Sequence, residues 1–94
     1  MMLTSSLPLA MATAMQGELD QNGHKAGWED MTPLQLVARA RQELGELERA
    51  LKRVDQVGLV WSEAADVANF VAMAAAVHEG RAIEAQRAID EGTT

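Results

Sequence analysis

The stretch EAADVANFVAMAAAV, residues 63–77, decides the fold because it combines a helical apolar period with carboxylates on the same side. At about 100° per residue, one arc of this helix holds five apolar residues: Val67, Phe70, Val71, Ala74 and Val77. Glu63 lies at the centre of that arc and Asp66 at its edge. Because burying unpaired carboxylates is costly, acids that face inward indicate a counter-charge, a cation or a water-filled cleft.

A second acidic pair, in Glu43-Leu44-Gly45-Glu46, falls in the preceding predicted helix. Carboxylates three residues apart lie about 60° from each other on a helix, near enough for both to reach one ion. Each pair is therefore a candidate half-site. The apolar stripe of this helix is bordered by Glu43, while Glu46 lies further round.

Length and composition limit the class of protein. The chain has 94 residues, which we interpret as a single domain over 1–94, and so small a domain favours oligomerisation. The absence of cysteine excludes disulfides and thiolate zinc sites and fits a reducing, cytoplasmic setting. A net charge of −6 disfavours binding to a nucleic-acid polymer, whose phosphates attract Lys and Arg.

The periodicity predicts an all-α bundle of about four helices per chain, completed by oligomerisation. The predicted helices cover residues 7–22, 33–55, 62–79 and 81–90, with Thr32 and Ser62 as N-caps and Gly80 as an interruption. Residues 1–16 contain no Lys or Arg, so they do not fit a secretory signal. No apolar run approaches the roughly 20 residues of a membrane span, so we expect no membrane partner.

A polar loop with two glycines, residues 22–30, connects the first two helices. In one interpretation it is only a connector, whose Trp28 plugs the edge of the core. In the other, Lys25 meets a phosphate and Trp28 stacks on a base. His24 alone does not define a metal site. The charged residues of the second helix fit an ordinary solvated face, to which we assign no chemistry: Arg39, Arg41, Glu48, Arg49, Lys52 and Arg53.

Taken together, these residues resemble the MazG-like branch of the all-α nucleoside triphosphate pyrophosphohydrolases. The resemblance covers about residues 16–77. It rests on Asn22, Lys25 and Trp28 in the loop, Glu43-x-x-Glu46 in the second helix, and Glu63-x-x-Asp66 followed by Asn69 in the third. One ExxE alone is common in amphipathic helices, but the joint pattern is much more specific.

The resemblance implies a function. Glu43, Glu46, Glu63 and Asp66 would bind Mg²⁺, with Mn²⁺ as a substitute, and oxygen ligands suit this hard ion. A nucleoside triphosphate would be cleaved between its α- and β-phosphates to a monophosphate and pyrophosphate. By the same resemblance, four residues would bind the substrate: Asn22, Lys25, Trp28 and Asn69. It also implies a homodimer or homotetramer.

The chain departs from many relatives at Gln42, where they carry an acidic residue that can serve as general base. Base catalysis would then depend on metal-activated water or on a carboxylate of the second helix, Glu46 or Glu43. Two alternatives remain open. The chain could be a non-catalytic helical dimerisation module, whose acids pair with arginines across an interface. It could also keep the fold and act on dUTP, dCTP or a phosphoribosyl-nucleotide.

Overall fold

A computed structural model describes residues 4–22, 27–55 and 57–92 of the chain. These residues form three α-helices: α1 (Leu7–Asn22), α2 (Pro33–Leu51) and α3 (Val57–Gly92). Short 3₁₀ helices, Thr4–Ser6 and Trp28–Asp30, precede α1 and α2, and no strand occurs within the described ranges. The prediction of an all-α protein is confirmed.

Helix α2 begins as the sequence indicates. The Thr32 hydroxyl accepts a hydrogen bond from the Gln35 backbone N–H at 3.0 Å, and the Gln35 side chain accepts one from the Thr32 N–H at 2.8 Å. This reciprocal capping box satisfies two donors that the first turn of a helix leaves unpaired, and Pro33 occupies the first helical position. The helix ends at Leu51 rather than near residue 55.

Helix α3 differs most from the expectation. It runs unbroken through Gly80 for 36 residues, so the described chain has three helices where the sequence predicted about four. Ser62 lies inside this helix and is not an N-cap, and Gly58 lies in its first turn rather than in a turn before it. A helical glycine costs about 1 kcal/mol relative to alanine, which the strong helix formers around Gly80 outweigh.

The core is small and forms mainly between α2 and α3. Its buried apolar residues are Leu36, Ala40 and Ala50 on α2 and Ala65 and Ala74 on α3. Val71, which the periodicity placed inward, is 53% exposed. The inward side of α3 is therefore rotated from the predicted arc, towards Asp66 and Asn69.

The molecule is elongated, with extents of 61 × 28 × 21 Å. Its radius of gyration is 16.7 Å, against about 12 Å for a compact domain of this length. All residues of α3 after Val77 are exposed, because this end of the helix extends past α1 and α2. By length and composition alone, α3 meets the requirements for a membrane span, although core helices of other proteins also meet them, and 17% of the stretch is buried.

Candidate metal centre

Three carboxylates converge between α2 and α3. Glu43 comes from the middle of α2, and Glu63 and Asp66 come from successive turns of α3. Each offers an oxygen atom, and these oxygens all lie within 4.8 Å of one another. The side chains are half-buried. This spacing is short enough for a single divalent cation to contact all three residues.

The packing of α2 on α3 explains why these acids meet. Ala40 on α2 and Ala65 on α3 are buried, and their small side chains let the two backbones approach closely. Near the same junction, the Arg39 guanidinium lies 5.3 Å from the centre of the Phe70 ring, a cation–π arrangement. One turn further along α2, Glu43 then faces the acids of α3.

Burial and the neighbouring acids raise the pKa values of two carboxyls, Asp66 and Glu63. Burial is the main cause that raises the pKa of Asp66 to about 7, followed by repulsion from Glu18 and Glu43, a hydrogen bond with Glu18, and repulsion from Glu63. Burial also raises the pKa of Glu63, with repulsion from Glu46, Glu43 and Glu18, while Arg49 opposes the shift. The crowded acids thus disfavour their own ionisation.

One oxygen of Glu63 is left without compensation. Its Oε2 atom is buried and accepts no hydrogen bond from any residue that the structure describes. A buried carboxylate oxygen without a partner carries a desolvation cost that a hydrogen bond or a cation would offset. As metal ligands, three carboxylates, one of them with an oxygen that lacks a hydrogen-bond partner, fit a hard divalent cation such as Mg²⁺ or Mn²⁺.

Glu18 on α1 belongs to this cluster, and sequence reasoning missed it. The Ser62 hydroxyl donates a 2.6 Å hydrogen bond to Glu18 Oε1, which ties α1 to α3 beside the other acids. Glu18 shares one side of α1 with Ala14 and Met15, but spacing alone does not show that this side faces α3. Glu18 lies four residues after Ala14 and three after Met15, and all three side chains are half-buried on α1.

Glu46 lies apart from the three converging oxygens. Its side chain is 52% exposed and forms a 3.8 Å ion pair with Arg49, three residues further along α2. It nevertheless lines the same cavity as Glu43 and Asp66. The structure thus brings together three of the four acids predicted as metal ligands and leaves the fourth at the edge of the cavity.

A cavity of about 280 Å³ opens beside the carboxylates. Its lining residues are Glu18, Leu19, Trp28, Arg39, Glu43, Glu46, Asp66, Asn69, Phe70 and Met73. Trp28 is half-buried at the start of its 3₁₀ helix and lines the same cavity as the acids. Arg39 is exposed, as a solvated face implies, and it also lines this open cavity.

The other residues predicted to bind the substrate are Asn69, Asn22 and Lys25. Asn69 is buried and lines the cavity, where its Nδ2 atom donates a 3.1 Å hydrogen bond to the Met15 carbonyl oxygen of α1. Asn22 is the last residue of α1. Lys25 and His24 lie outside the described residues.

The described residues thus define an all-α protein with an acidic cavity between its helices. A scan of protein-family models, a search of curated proteins and a search of solved structures each found no match to this chain.

Proposed function

We propose that this protein is a divalent-metal-dependent nucleotide pyrophosphohydrolase. It would cleave a nucleoside triphosphate between the α- and β-phosphates, releasing a nucleoside monophosphate and pyrophosphate. The observation that carries the proposal is the convergence of Glu43, Glu63 and Asp66 within 4.8 Å, beside a cavity that also contains an arginine and a tryptophan. The resemblance to MazG-like enzymes adds the choice of bond.

The acids would hold the metal. Glu43, Glu63 and Asp66 supply the converging oxygens, and Glu46 could reach a second ion or a coordinated water from the edge of the cavity. A bound Mg²⁺ would neutralise the acidic cluster, polarise the phosphoryl oxygens and activate the attacking water. Such a charge would also reduce the repulsion between the acidic cluster and an anionic nucleotide.

Cations and aromatic rings would orient the nucleotide. Arg39 lies at the cavity, where its guanidinium can make charge-assisted hydrogen bonds to phosphate oxygens. Gln42, which replaces the acidic residue of many relatives, accepts a 2.6 Å hydrogen bond from Arg39 Nη1 and so holds that side chain. Trp28 would stack on the base. Lys25 would add a second phosphate contact.

The proton of the attacking water needs an acceptor. Glu46 is the best placed of the cavity carboxylates for this role because it lies outside the three converging oxygens and is partly open to solvent. Glu43 is the alternative acceptor. Asn22 and Asn69 would complete the substrate pocket, where the buried Asn69 also fixes α1 against α3.

The proposal extends to setting and assembly. The chain would work in the cytoplasm as a homodimer or homotetramer, and would bind neither a nucleic-acid polymer nor a membrane. Within the same fold, dUTP, dCTP or a phosphoribosyl-nucleotide would be the substrate if base contacts favour it.

A product assay tests the reaction. Purified protein with Mg²⁺ would be screened against nucleoside triphosphates, and pyrophosphate release would be scored against orthophosphate release. In ¹⁸O-labelled water, attack at the α-phosphorus puts the label in the monophosphate. Label in orthophosphate, with a diphosphate as the other product, would refute the proposed bond cleavage.

A matched pair of variants assigns the activity to the cavity. Asp66→Asn removes one converging carboxylate and should lower activity at least about a hundredfold without unfolding the chain. Asp55→Asn makes the same chemical change at an exposed residue outside the cavity, so it should leave activity unchanged. Equal activity of the two variants, both folded by circular dichroism, would contradict the assignment.

A non-catalytic interaction module is the second candidate. Several large apolar side chains are exposed, including Leu9 at 74%, Leu34 at 81% and Val54 at 97%. This reading predicts no turnover with any nucleotide and no effect of Mg²⁺ on stability. The product assay therefore separates the two candidates.

A further inference from the structure

Exposed residues along α3 follow the spacing of a coiled-coil seam. Six of them alternate four and three residues apart and define what we call the back seam: Val71, Ala75, His78, Ala82, Ala85 and Ile89. All six are exposed. The same spacing continues towards the start of the helix through Ala68 and Ala64. Heptad spacing places such residues on one side of a helix, ready to pack against a second helix.

The back seam lies opposite the side of α3 that packs within the chain. Asn69, which reaches α1, points about 160° away from the centre of the back seam, and Phe70, which contacts Arg39 of α2, points about 100° away from it. Neither α1 nor α2 therefore covers it.

The end of α3 that extends past α1 and α2 keeps the apolar residues of the back seam, with Ile83, 51% exposed, as a large apolar residue outside it. Beyond Val77, the side that continues the cavity face carries Glu84, Arg87 and Glu91, whereas the back seam continues with one histidine, two alanines and one isoleucine. A helical segment of about 15 residues is marginal in water unless an apolar face is packed. The sequence of this end is thus suited to a partner on the back seam and to solvent on the other side.

We propose that the back seam is the docking surface for a second copy of this chain, with the two α3 helices antiparallel. In the antiparallel register that we propose, each residue of the back seam packs against one residue of the partner helix. Val71 packs against the partner's Ala82, and Ile89 packs against the partner's Ala64. Each larger side chain then meets a small one, which keeps the spacing of the helices uniform. A parallel pair would instead set His78 on the partner's His78 and Ile89 on the partner's Ile89, with alanine layers between.

The surface area that the two α3 helices would bury is large enough for a specific dimer. In this register residues 61–92 of the two helices overlap over about 48 Å, at about 1.5 Å per residue. A strip about 11 Å wide, the diameter of a helix, then buries about 1,000 Å² counting both chains, which is where specific interfaces begin. A lipid surface is less suitable because charged residues, among them Arg81 and Asp90, are spread around this end of α3.

Sedimentation velocity over a range of concentrations tests the proposal. The protein should form a dimer, or a larger assembly built from it, at micromolar concentration. Ala82→Glu puts a charge in the middle of the back seam and should raise the dissociation constant at least about tenfold. Ala76→Glu makes the same change at an exposed residue of α3 outside the back seam and should leave assembly unchanged. Ile89→Gln is a milder second variant, expected to weaken assembly in the same direction.

Orientation has its own measurement. The sequence has no cysteine, so Arg87→Cys gives a single spin-labelling position away from the back seam. Label-to-label distances of about 30 Å or more indicate antiparallel helices, since residue 87 and its copy would lie about 21 residues apart along the pair. Distances below about 20 Å would overturn the antiparallel register.

Other results would overturn the docking surface itself. One is a wild-type protein that stays monomeric at 100-micromolar concentration, which is on the order of ten times the protein concentration of typical assays. The other is assembly that persists in both Ala82→Glu and Ile89→Gln. Binding of the wild-type monomer to phospholipid vesicles, lost in Ala82→Glu, would assign the back seam to a membrane. None of these measurements needs nucleotide or metal, so the back seam can fail while the proposed hydrolysis stands, and the reverse, although a monomer would also overturn the homo-oligomer included in the proposed function.

Discussion

At the scale of single residues, Asp66 links the stability of the fold to the chemistry of the cavity. Burial and the neighbouring acids raise the pKa of Asp66 from 3.8 to about 7. The folded protein therefore binds more protons than the unfolded chain between about pH 4 and pH 7. Stability should fall as pH rises through this window and change little above it, because ionising Asp66 is harder in the fold.

The first prediction compares Asp66→Asn with the wild type in a chelator. Asparagine resembles the protonated acid, so the variant should melt at a higher temperature than the wild type at pH 8 and at nearly the same temperature at pH 4. Differential scanning calorimetry across this range gives the comparison, with Asp55→Asn as the control that should follow the wild type. A wild-type melting temperature that rises from pH 5 to pH 7.5 relative to Asp66→Asn would contradict the raised pKa.

Sequence reasoning found some residues of the cavity and missed others for a physical reason. The i, i+3 spacing on α2 and α3 was enough to identify Glu43, Glu63 and Asp66 as neighbours. Glu18 and Arg39 were missed because periodicity ranks residues by hydrophobicity, which assigns a charged side chain to solvent. Their positions depend on how α1 and α2 dock on α3, which spacing within one helix does not encode.

At the scale of the elements, the start of α2 could be predicted, whereas the start of α3 at Val57 and its continuation through Gly80 could not. Thr32-Pro33 is a start signal with its own hydrogen bonds, and α2 begins there. Gly80 was read as a stop, but a glycine ends a helix only when the backbone turns left-handed and caps the last carbonyls. In the residues that the structure describes, Gly27 is the glycine with a positive φ, at 118°.

The second prediction follows from the helical conformation at Gly80. A Cβ atom added there meets nothing within 4 Å, so Gly80→Ala introduces no clash. Alanine should stabilise this turn by about 0.5–1 kcal/mol and increase the ellipticity at 222 nm without reducing assembly. Gly27→Ala is the contrasting variant, since the positive φ of Gly27 strains a side chain and should make that change destabilising. Loss of helicity in Gly80→Ala would show that the helix breaks at this residue.

At the scale of the whole molecule, the acidic cluster joins all three helices. Glu18 comes from α1, Glu43 from α2, and Glu63 and Asp66 from α3. The apolar core is small, so like charges at this junction oppose the packing that holds the helices together. A cation bound there would act on the whole fold, because it would replace repulsion between helices with attraction.

The third prediction is that divalent metal stabilises the protein. At a concentration ten times its dissociation constant, Mg²⁺ or Mn²⁺ should add about 1.4 kcal/mol to the free energy of unfolding and raise the melting temperature by about 5–10 °C at pH 8. The increase should be smaller at pH 5.5, where protons compete for Asp66. It should be largely lost in Asp66→Asn and kept in Asp55→Asn. Metal would be tested at 10 millimolar, a concentration on the order of those that saturate weak sites. Equal melting curves in Mg²⁺, Mn²⁺ and chelator would refute the metal centre and with it the proposed hydrolysis. The dimer along the back seam would be unaffected, because none of its six residues lines the cavity.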